Sequence, residues 1–307
     1  MSDNKAPLLA ADVPWLLYRS YFALPKSIAG AEGRPVNALL GTVNALLGVV
    51  DPDGGLAARR PRCVVACMGA EEAQYRVALY PPYHAHRDPM PPELRWQWER
   101  APELLESLGW TYASSETLEA DDVMFSYART EAQAGGEALL MTGDRDLYGA
   151  IDERVAVLEL LKGGKSAELG PEQVRERYGV EPGQVQDLIA LRGDPSDGIP
   201  GAPGVGAKTA AALLREHGTL EAVLAAAREL ENRVAREPGP LTPRIAAKLR
   251  EHEQLLLEFK QIATLQTIEV ERPADAATDF AGGAACAQAL GMRRLAERLE
   301  KLASATA

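Results

Sequence analysis

The sequence predicts an α/β fold with a largely parallel sheet, followed by a helical unit. Short apolar runs typical of buried strands alternate with helical patterns over the first half of the chain. Acidic residues follow several of these runs, and open parallel sheets bind ligands beyond the carboxyl ends of their strands. From residue 170 onward the pattern becomes helical. We therefore place one domain at residues 1–169 and a second at 170–307.

The elements of the first domain follow from apolar runs and their terminators. The run at 63–68 contains Cys63 and Cys67, which face the same side of a strand and are expected in the core. Gly135 and Gly136 end the main helical pattern. The predicted strands cover residues 7–12, 63–68, 138–141 and 155–160, and the helices between them cover residues 36–50 and 123–134.

The second domain is predicted to be helical throughout. A helix ends at Gly218, and Thr219 is expected to cap the next one. An amphipathic stretch covers residues 243–265, with Thr242 as its N-cap. Residues 274–283 are expected to form a loop before a final helix at 292–303.

Two acidic clusters lie on either side of the helix at 123–134. They comprise Glu119, Asp121 and Asp122 in the first, and Asp144 and Asp146 in the second. A helix N-terminus stabilises one or two carboxylates, but like charges gathered from two turns resist ionising unless a cation neutralises them. Asp12 and Asp144 both follow strands, so a parallel sheet carries them to one edge. Oxygen ligands at this density indicate a site for Mg²⁺ or Mn²⁺.

Composition favours an ordinary globular protein of 307 residues, with 46% hydrophobic residues and three cysteines. No apolar run has membrane-spanning length and no signal pattern is present, so we expect a cytoplasmic protein without a membrane partner. The net charge of −11 does not exclude a nucleic-acid partner, because carboxylates of the expected metal site account for most of it.

Aromatic and basic residues alternate between residues 75 and 105. Tyr83, His84 and Arg87 follow one another closely, and Trp96 and Trp98 come soon after. The stretch is compatible with a surface insertion whose tryptophans dock on the core. It is equally compatible with a channel for single-stranded nucleic acid, in which bases stack on rings and cations meet phosphates.

A glycine-rich hairpin is predicted between two helices at residues 186–217. It superficially resembles a phosphate-binding P-loop, but Ala207 separates Gly206 from Lys208 and a helix precedes it, so that pattern fails. A helix–hairpin–helix remains, in which small residues let a phosphate approach backbone N–H groups. Such an element grips a duplex without reading its sequence. The expected contacts are Gly201, Gly204, Gly206, Lys208 and Thr209.

Five blocks of residues resemble the flap endonuclease and 5′-3′ exonuclease family, which includes the N-terminal nuclease region of bacterial DNA polymerase I. The blocks occur in the family's order and span nearly the whole chain. They are Tyr18-Arg19 with Phe22-Ala23-Leu24-Pro25, Leu79-Tyr80-Pro81-Pro82-Tyr83, Glu119-Ala120-Asp121-Asp122, Thr142-Gly143-Asp144-Arg145-Asp146, and residues 193–209.

The resemblance implies a PIN/resolvase-like nuclease domain with a helical arch at about 75–105, and a helix–three-turn–helix domain. It implies hydrolysis of phosphodiesters near the 5′ end of DNA, in replication and repair, by a monomer that uses two Mg²⁺ or Mn²⁺ ions, with K⁺ at the hairpin. One metal region is implied for Asp12, Glu119, Asp121, Asp122 and Asp144, and the other for Asp146, Asp194 and Asp197. Catalytic roles are implied for Tyr83, Arg87 and Arg19, and further DNA contacts for Arg76, His84 and Arg95.

Two positions depart from the family's pattern. Gly69 occupies a position where the family has an aspartate, and His84 occupies that of an arch lysine. We expect Gly69→Asp to lower the Mg²⁺ requirement, provided that the new side chain fits.

Two other functions remain open from the sequence. A non-enzymatic DNA-junction binder would keep the hairpin but gain by shedding repelling carboxylates. A PIN-like ribonuclease would share the acidic centre but not the hairpin. The resemblance does not separate flap cutting from exonuclease trimming, nor DNA from an RNA primer paired to DNA.

Overall fold

One mixed sheet organises the first half of the chain. The computed structural model describes residues 6–51, 55–230 and 239–306. Its strands are β1 (Leu8–Asp12), β2 (Cys63–Cys67), β3 (Thr111–Ala113), β4 (Ala138–Met141), β5 (Val155–Leu161) and β6 (Lys165–Leu169). They lie in the order β3-β2-β1-β4-β5-β6. Neighbours are parallel except β5 and β6, so the largely parallel sheet predicted from the sequence is confirmed.

Helices cover both faces of this sheet and form most of the second half of the chain. Because both faces are covered, β1, β2 and β4 are buried along their whole length and consist of apolar residues apart from Asp12. The helices of the first half are α1 (Val13–Ala23), α2 (Asn37–Val50), α3 (Gln74–Leu79), α4 (Pro92–Ser107) and α5 (Ala120–Gln133). Those of the second half are α6 (Pro171–Tyr178), α7 (Val185–Arg192), α8 (Ala207–His217), α9 (Leu220–Glu229), α10 (Pro243–Glu251), α11 (Glu253–Ala263), α12 (Phe280–Ala289) and α13 (Arg293–Thr306).

The strands missed by the sequence analysis are β3 and β6, and both lie at edges of the sheet. β3 has only three residues, and β6 is mostly polar and pairs antiparallel with β5 after the turn at Gly163 and Gly164. Neither presents the apolar run by which buried strands were recognised.

Two expectations for the second half are corrected. The helical stretch at 243–265 is two helices, α10 and α11, which meet at His252. The expected loop at 274–283 ends early, because α12 begins at Phe280, after Asp279 accepts a hydrogen bond from the Gly282 N–H at 2.8 Å. A Cβ atom at Gly283 would lie 2.3 Å from Leu108, so this glycine serves close helix packing rather than a turn.

The core is divided between the two faces of the sheet. α5 and helices α7 to α11 contribute to one hydrophobic cluster, and α1, α2, α4, α12 and α13 contribute to the other. Arg298 of α13 donates to Asn44 of α2 at 2.8 Å. The last two helices, which the sequence grouped with the helical domain, therefore pack against the α/β half. The boundary at residue 170 remains a prediction.

None of the helices in the described ranges is both long enough and apolar enough to cross a membrane.

Candidate active site

Asp12 lies where β1 ends and α1 begins, and it joins two neighbouring strand ends. Its Oδ1 accepts the Trp15 N–H at 2.9 Å, and its Oδ2 accepts the Thr142 hydroxyl at 2.7 Å. Thr142 follows β4 directly, and two residues later Asp144 accepts the Asp146 N–H at 2.9 Å. The predicted convergence of Asp12 and Asp144 at one edge of the sheet is confirmed.

Glu119 caps the N-terminus of α5 and is surrounded by donors. Its Oε1 accepts the Ala73 N–H at 2.7 Å, and the Tyr83 hydroxyl lies 3.1–3.2 Å from its two oxygens. Arg76 Nη1 lies 3.0 Å from Glu119 Oε2. The carboxylate is therefore fixed in direction before any ligand arrives.

Asp121 and Asp122 follow each other on α5 but point to different surroundings. Asp121 lines the acidic cavity, whereas the side chain of Asp122 is completely buried and lies 2.9 Å from Arg76 Nη2. The structure contradicts the expected metal contact of Asp122. Arg76 lines the cavity, but its side chain is only 4% exposed and is paired with two carboxylates, which argues against its expected DNA contact. Helical spacing places Glu119 and Asp122 on one face, and that face is occupied by Arg76.

A cavity of about 970 Å³ opens at this edge of the sheet. Trp15, Tyr18, Phe22 and Trp98 form part of its aromatic wall, and Phe22 is 71% exposed. Nine carboxylates line it, and they are Asp12, Glu71, Glu72, Asp88, Glu119, Asp121, Asp144, Asp146 and Asp197. Asp194 is not among the lining residues, and its Oδ1 instead accepts the Ser196 N–H at 2.8 Å.

The carboxylates of the cavity oppose each other's ionisation. Burial raises the pKa of Asp12 and of Asp144 to about 6. For Asp121 and Asp146, burial and then the neighbouring carboxylates, Asp144 first among them, raise the pKa well above its ordinary value. A group of acids in this state is stabilised in its charged form by a cation.

The chemistry of these donors fits a divalent metal ion. Oxygen-only, mutually repelling ligands suit Mg²⁺ or Mn²⁺ rather than zinc, which favours sulfur and imidazole. Within residues 6–51, 55–230 and 239–306, no three His, Cys, Asp or Glu side chains are already arranged to hold a metal ion. Mg²⁺ usually keeps several water ligands, so an ion at this cavity would not need three protein ligands at once.

Tyr83, His84 and Arg87 line the cavity, together with residues 88–91 that follow them. His84 has a φ of 55°, and its Nε2 lies 3.0 Å from Asp197 Oδ1. Arg87 Nη2 lies 3.1 Å from the same oxygen, with 46% of its side chain exposed. Burial acts to raise the pKa of Asp197, but the bond and charge of His84 and the charge of Arg87 outweigh it and lower that pKa. His84 lines the cavity but is only 5% exposed, so its expected DNA contact stays a prediction.

The tryptophans of α4 bear on the two interpretations of residues 75–105. Leu94, Ala101 and Leu104 of α4 are fully buried, and Trp96 and Trp98 pack against the same cluster. This helix docks on the core, as in the surface-insertion interpretation. Arg76, Tyr83, His84, residues 87–91, Arg95 and Trp98 border the cavity, so the channel interpretation stays open for these residues.

Arg19 and Arg95 lie beside the cavity. The Arg19 guanidinium is 5.5 Å from the centre of the Trp15 ring. Arg95 is half-exposed and pairs with Glu71 at 3.1 Å. Both cations are accessible to a strand that enters from solvent.

The glycines of the predicted hairpin between α7 and α8 differ in their surroundings. A Cβ atom at Gly201 would lie 2.3 Å from the Gly193 nitrogen, so Gly201 is required for backbone packing and is buried. Gly204 and Gly206 have open space around them, and Lys208 is exposed on the first turn of α8. Thr209, the next residue, is half-buried. The helix–hairpin–helix is confirmed, but the expected DNA contact of Gly201 is wrong.

Comparisons with known proteins agree with this architecture. Residues 7–179 match the family of 5′-3′ exonuclease N-terminal resolvase-like domains, and residues 180–279 match the C-terminal SAM fold of the same enzymes. A 5′-3′ exonuclease of Mycobacterium tuberculosis is 36% identical over 253 residues, which cover 76% of this chain and 77% of the relative. The chain belongs to the 5′-3′ exonuclease family.

Other members of this family show the same relationship. A 5′-3′ exonuclease of Streptomyces coelicolor is 39% identical over 230 residues, covering 70% of this chain and 73% of its own. The thermostable DNA polymerase I of Thermus thermophilus is 35% identical over 269 residues, which cover 88% of this chain but 30% of the polymerase.

Solved structures confirm the 5′-3′ exonuclease fold. T5 5′-exonuclease with bound zinc has a TM-score of 0.63 and 17% identity, and the match covers 97% of this chain and 99% of that one. The catalytic core of Rad2 in complex with DNA substrate has a TM-score of 0.60 and 13% identity, over 96% of this chain and 92% of the other.

Sequence reasoning missed Thr142 and Trp15 as parts of this exonuclease site. Thr142 orients Asp12 across two strands. The Trp15 ring packs so closely against Gly143 that a Cβ atom at that glycine would lie 2.2 Å from the ring. Gly143, which precedes Asp144 just after strand β4, is the feature of the sequence that indicates this close approach.

Proposed function

We propose that this exonuclease family member is a divalent-metal-dependent, structure-specific 5′ nuclease that hydrolyses phosphodiesters near 5′ ends and flaps of DNA. The observation that carries the proposal is a single cavity lined by nine carboxylates together with aromatic and basic side chains. Because these acids oppose each other's ionisation, they favour binding of a metal cation. The bound cation would neutralise the charge of the carboxylates, so that a polyanionic substrate could approach them.

We assign Asp12, Asp121, Asp144 and Asp146 to two Mg²⁺ or Mn²⁺ ions, because all four line the cavity and carry raised pKa values. Ions bound there supply an activated water and neutralise charge on the attacking and leaving oxygens. Asp197 lies on the same cavity and is the next candidate ligand. The zinc bound in the T5 relative is a property of that protein that supports a metal site here.

The remaining side chains hold the DNA. Arg87 is half-exposed on the cavity wall and is assigned to the phosphate at the cleavage position. Arg19 and Arg95 are assigned to the incoming 5′ strand. Gly204, Gly206 and Lys208 are assigned to the duplex backbone, with K⁺ as the ion expected at the hairpin.

The competing function is a DNA-junction binder with weakened catalysis. Two observations favour it: Glu119 is already saturated with protein donors, and Gly69 provides no acid. The substrate is the other open choice, because DNA and an RNA primer paired to DNA present similar phosphates. A monomeric, cytoplasmic protein remains a prediction.

Incubation of the protein with a 5′-labelled flap duplex, with Mg²⁺, with Mn²⁺ and with a chelator, tests the proposal. We expect cleavage near the flap junction that requires the divalent ion. Binding without cleavage under every condition would contradict the nuclease proposal and support a DNA-junction-binding protein instead. Parallel substrates with a recessed 5′ end and with an RNA primer separate flap cutting from trimming and DNA from hybrid. Addition of K⁺ in place of Na⁺ tests the hairpin ion.

A further inference from the structure

Arg76 is a buried cation at the meeting point of three segments. Its Nη1 lies 3.0 Å from Glu119 Oε2, and its Nη2 lies 2.9 Å from Asp122 Oδ1. Its Nε donates to the Ile262 carbonyl at the end of α11, at 3.0 Å. The guanidinium therefore joins α3, the start of α5 and the end of α11.

Asp122 is held from the opposite side by the chain that follows α11. The Gln266 N–H donates to Asp122 Oδ1 at 2.7 Å, and one turn further along α5 the Ser126 hydroxyl accepts the Ile268 N–H at 3.0 Å. Both Asp122 and Ser126 are buried. Asp122 is thus an anchor between α5 and the segment after α11, and it faces away from the acidic cavity.

Glu119, the second carboxylate that pairs with Arg76, lines the cavity. Arg76 and Tyr83 approach one of its oxygens, and Ala73 and Tyr83 approach the other. Of these groups, Arg76 is the one that carries a permanent positive charge. Loss of Arg76 would leave Glu119 held by Ala73 and Tyr83 only, and would place a carboxylate without a paired charge in the cavity wall.

We propose that Arg76 is a positioning residue for cleavage: it fixes the Glu119 carboxylate in the cavity, and Asp122 is the anchor of Arg76. This inference rests on the proposed nuclease function. Asp122 does not line the cavity, and Arg76 reaches the cavity wall with only 4% of its side chain exposed and with both carboxylates bound to it. Because small displacements of active-site groups slow reactions strongly, the role is kinetic as well as structural.

A double variant separates positioning from stability. Loss of Arg76 alone leaves the fully buried Asp122 unpaired, whereas neutralising Arg76 and Asp122 together leaves only Glu119, which borders the cavity, without a paired charge. In Arg76→Met/Asp122→Asn, the asparagine oxygen still accepts the Gln266 N–H, but Glu119 loses its guanidinium. We expect a folded protein whose single-turnover cleavage of a flap duplex is slower by about 10- to 100-fold, with DNA affinity unchanged. Arg76→Lys, which keeps the charge but cannot span both acids, is expected to fall between this variant and the parent.

Arg62→Met is the matched control. Arg62 is another buried arginine, paired with Glu131, and it immediately precedes β2 at the edge of the sheet opposite the acids. The Arg62→Met variant is expected to have a lower melting temperature than the parent. Its remaining folded protein should cleave at the parent's rate.

Three measurements decide the proposal: the cleavage rate, the DNA dissociation constant and the Mg²⁺ concentration at half-maximal binding by calorimetry. A folded double variant that cleaves as fast as the parent overturns the positioning role. An Asp122→Asn variant with weakened Mg²⁺ binding overturns the anchor role and makes Asp122 a ligand. If the parent itself does not cleave, the proposed function fails instead, so the two failures are distinct.

Discussion

Gly69 and Glu119 lie in direct backbone contact at the end of β2. A Cβ atom at Gly69 would lie 2.5 Å from the Glu119 carbonyl carbon and 2.5 Å from the Ala120 nitrogen. Ala70 donates its N–H to the Leu118 carbonyl at 2.9 Å, which fixes the same approach. The start of α5 therefore occupies the space that a side chain at position 69 would need.

This contact reverses the expectation for Gly69→Asp. The variant is now predicted to be less stable by ~1–3 kcal/mol, because the new side chain overpacks against backbone. It should show no gain in Mg²⁺ affinity. Thermal unfolding and calorimetric Mg²⁺ titration check both points. Gly183→Ala is the control, since nothing lies within 4 Å of its Cβ position. A stable Gly69→Asp protein with tighter Mg²⁺ binding would show that α5 can move aside.

Asp146→Asn is predicted to abolish cleavage and to leave DNA binding nearly intact. Asp146 lines the cavity, whereas the duplex contact is assigned to the hairpin. A cutting assay and a gel shift on the same flap duplex measure the two properties. Glu153→Gln removes an exposed carboxylate elsewhere and should behave as the parent. Normal cutting by Asp146→Asn would remove this residue from the metal site.

Lys208→Ala is predicted to weaken duplex binding and to reduce its salt dependence by roughly one unit in the log–log slope. Gly206→Val should weaken binding further, because the valine side chain would fill the space that a phosphate needs. The backbone should tolerate this change, since Gly206 has a φ of −88°, which other residues adopt readily. Lys162→Ala, an exposed lysine after β5, is the control. Dissociation constants at several salt concentrations test this, and an unchanged slope in Lys208→Ala would place the duplex elsewhere.

The metal-free protein is predicted to lose stability as the pH rises from about 4 to 7. The pKa of Asp144 is raised from 3.8 to about 6 in the folded state. Its contribution to the free energy of unfolding is therefore full below the unfolded pKa and is lost as pH rises through the folded pKa. Melting temperatures at pH 5 and 7.5 in a chelator should differ less in Asp144→Asn than in the parent. Mg²⁺ at pH 7.5 should restore stability in the parent, and equal pH sensitivity in both proteins would contradict the assignment.

The sequence by itself determined the sheet, the acidic edge and the hairpin. Apolar runs identified β1, β2, β4 and β5, because strands covered on both faces must be apolar. Strand-end aspartates such as Asp12 and Asp144 then followed from the topology of parallel sheets. Local signals also located the caps Thr219 and Thr242, whose side chains accept helix N–H groups as expected.

Only the tertiary structure decided which charged residues face the cavity. Asp121 and Asp122 are adjacent in sequence, yet one faces the cavity and the other faces Arg76, which is delivered by α3 and anchored at Ile262. Likewise Gly201 and Gly204 look alike in the sequence, but only Gly201 meets another backbone. Pairing and close approach depend on segments far apart in the chain, and spacing along the chain does not encode which segments meet.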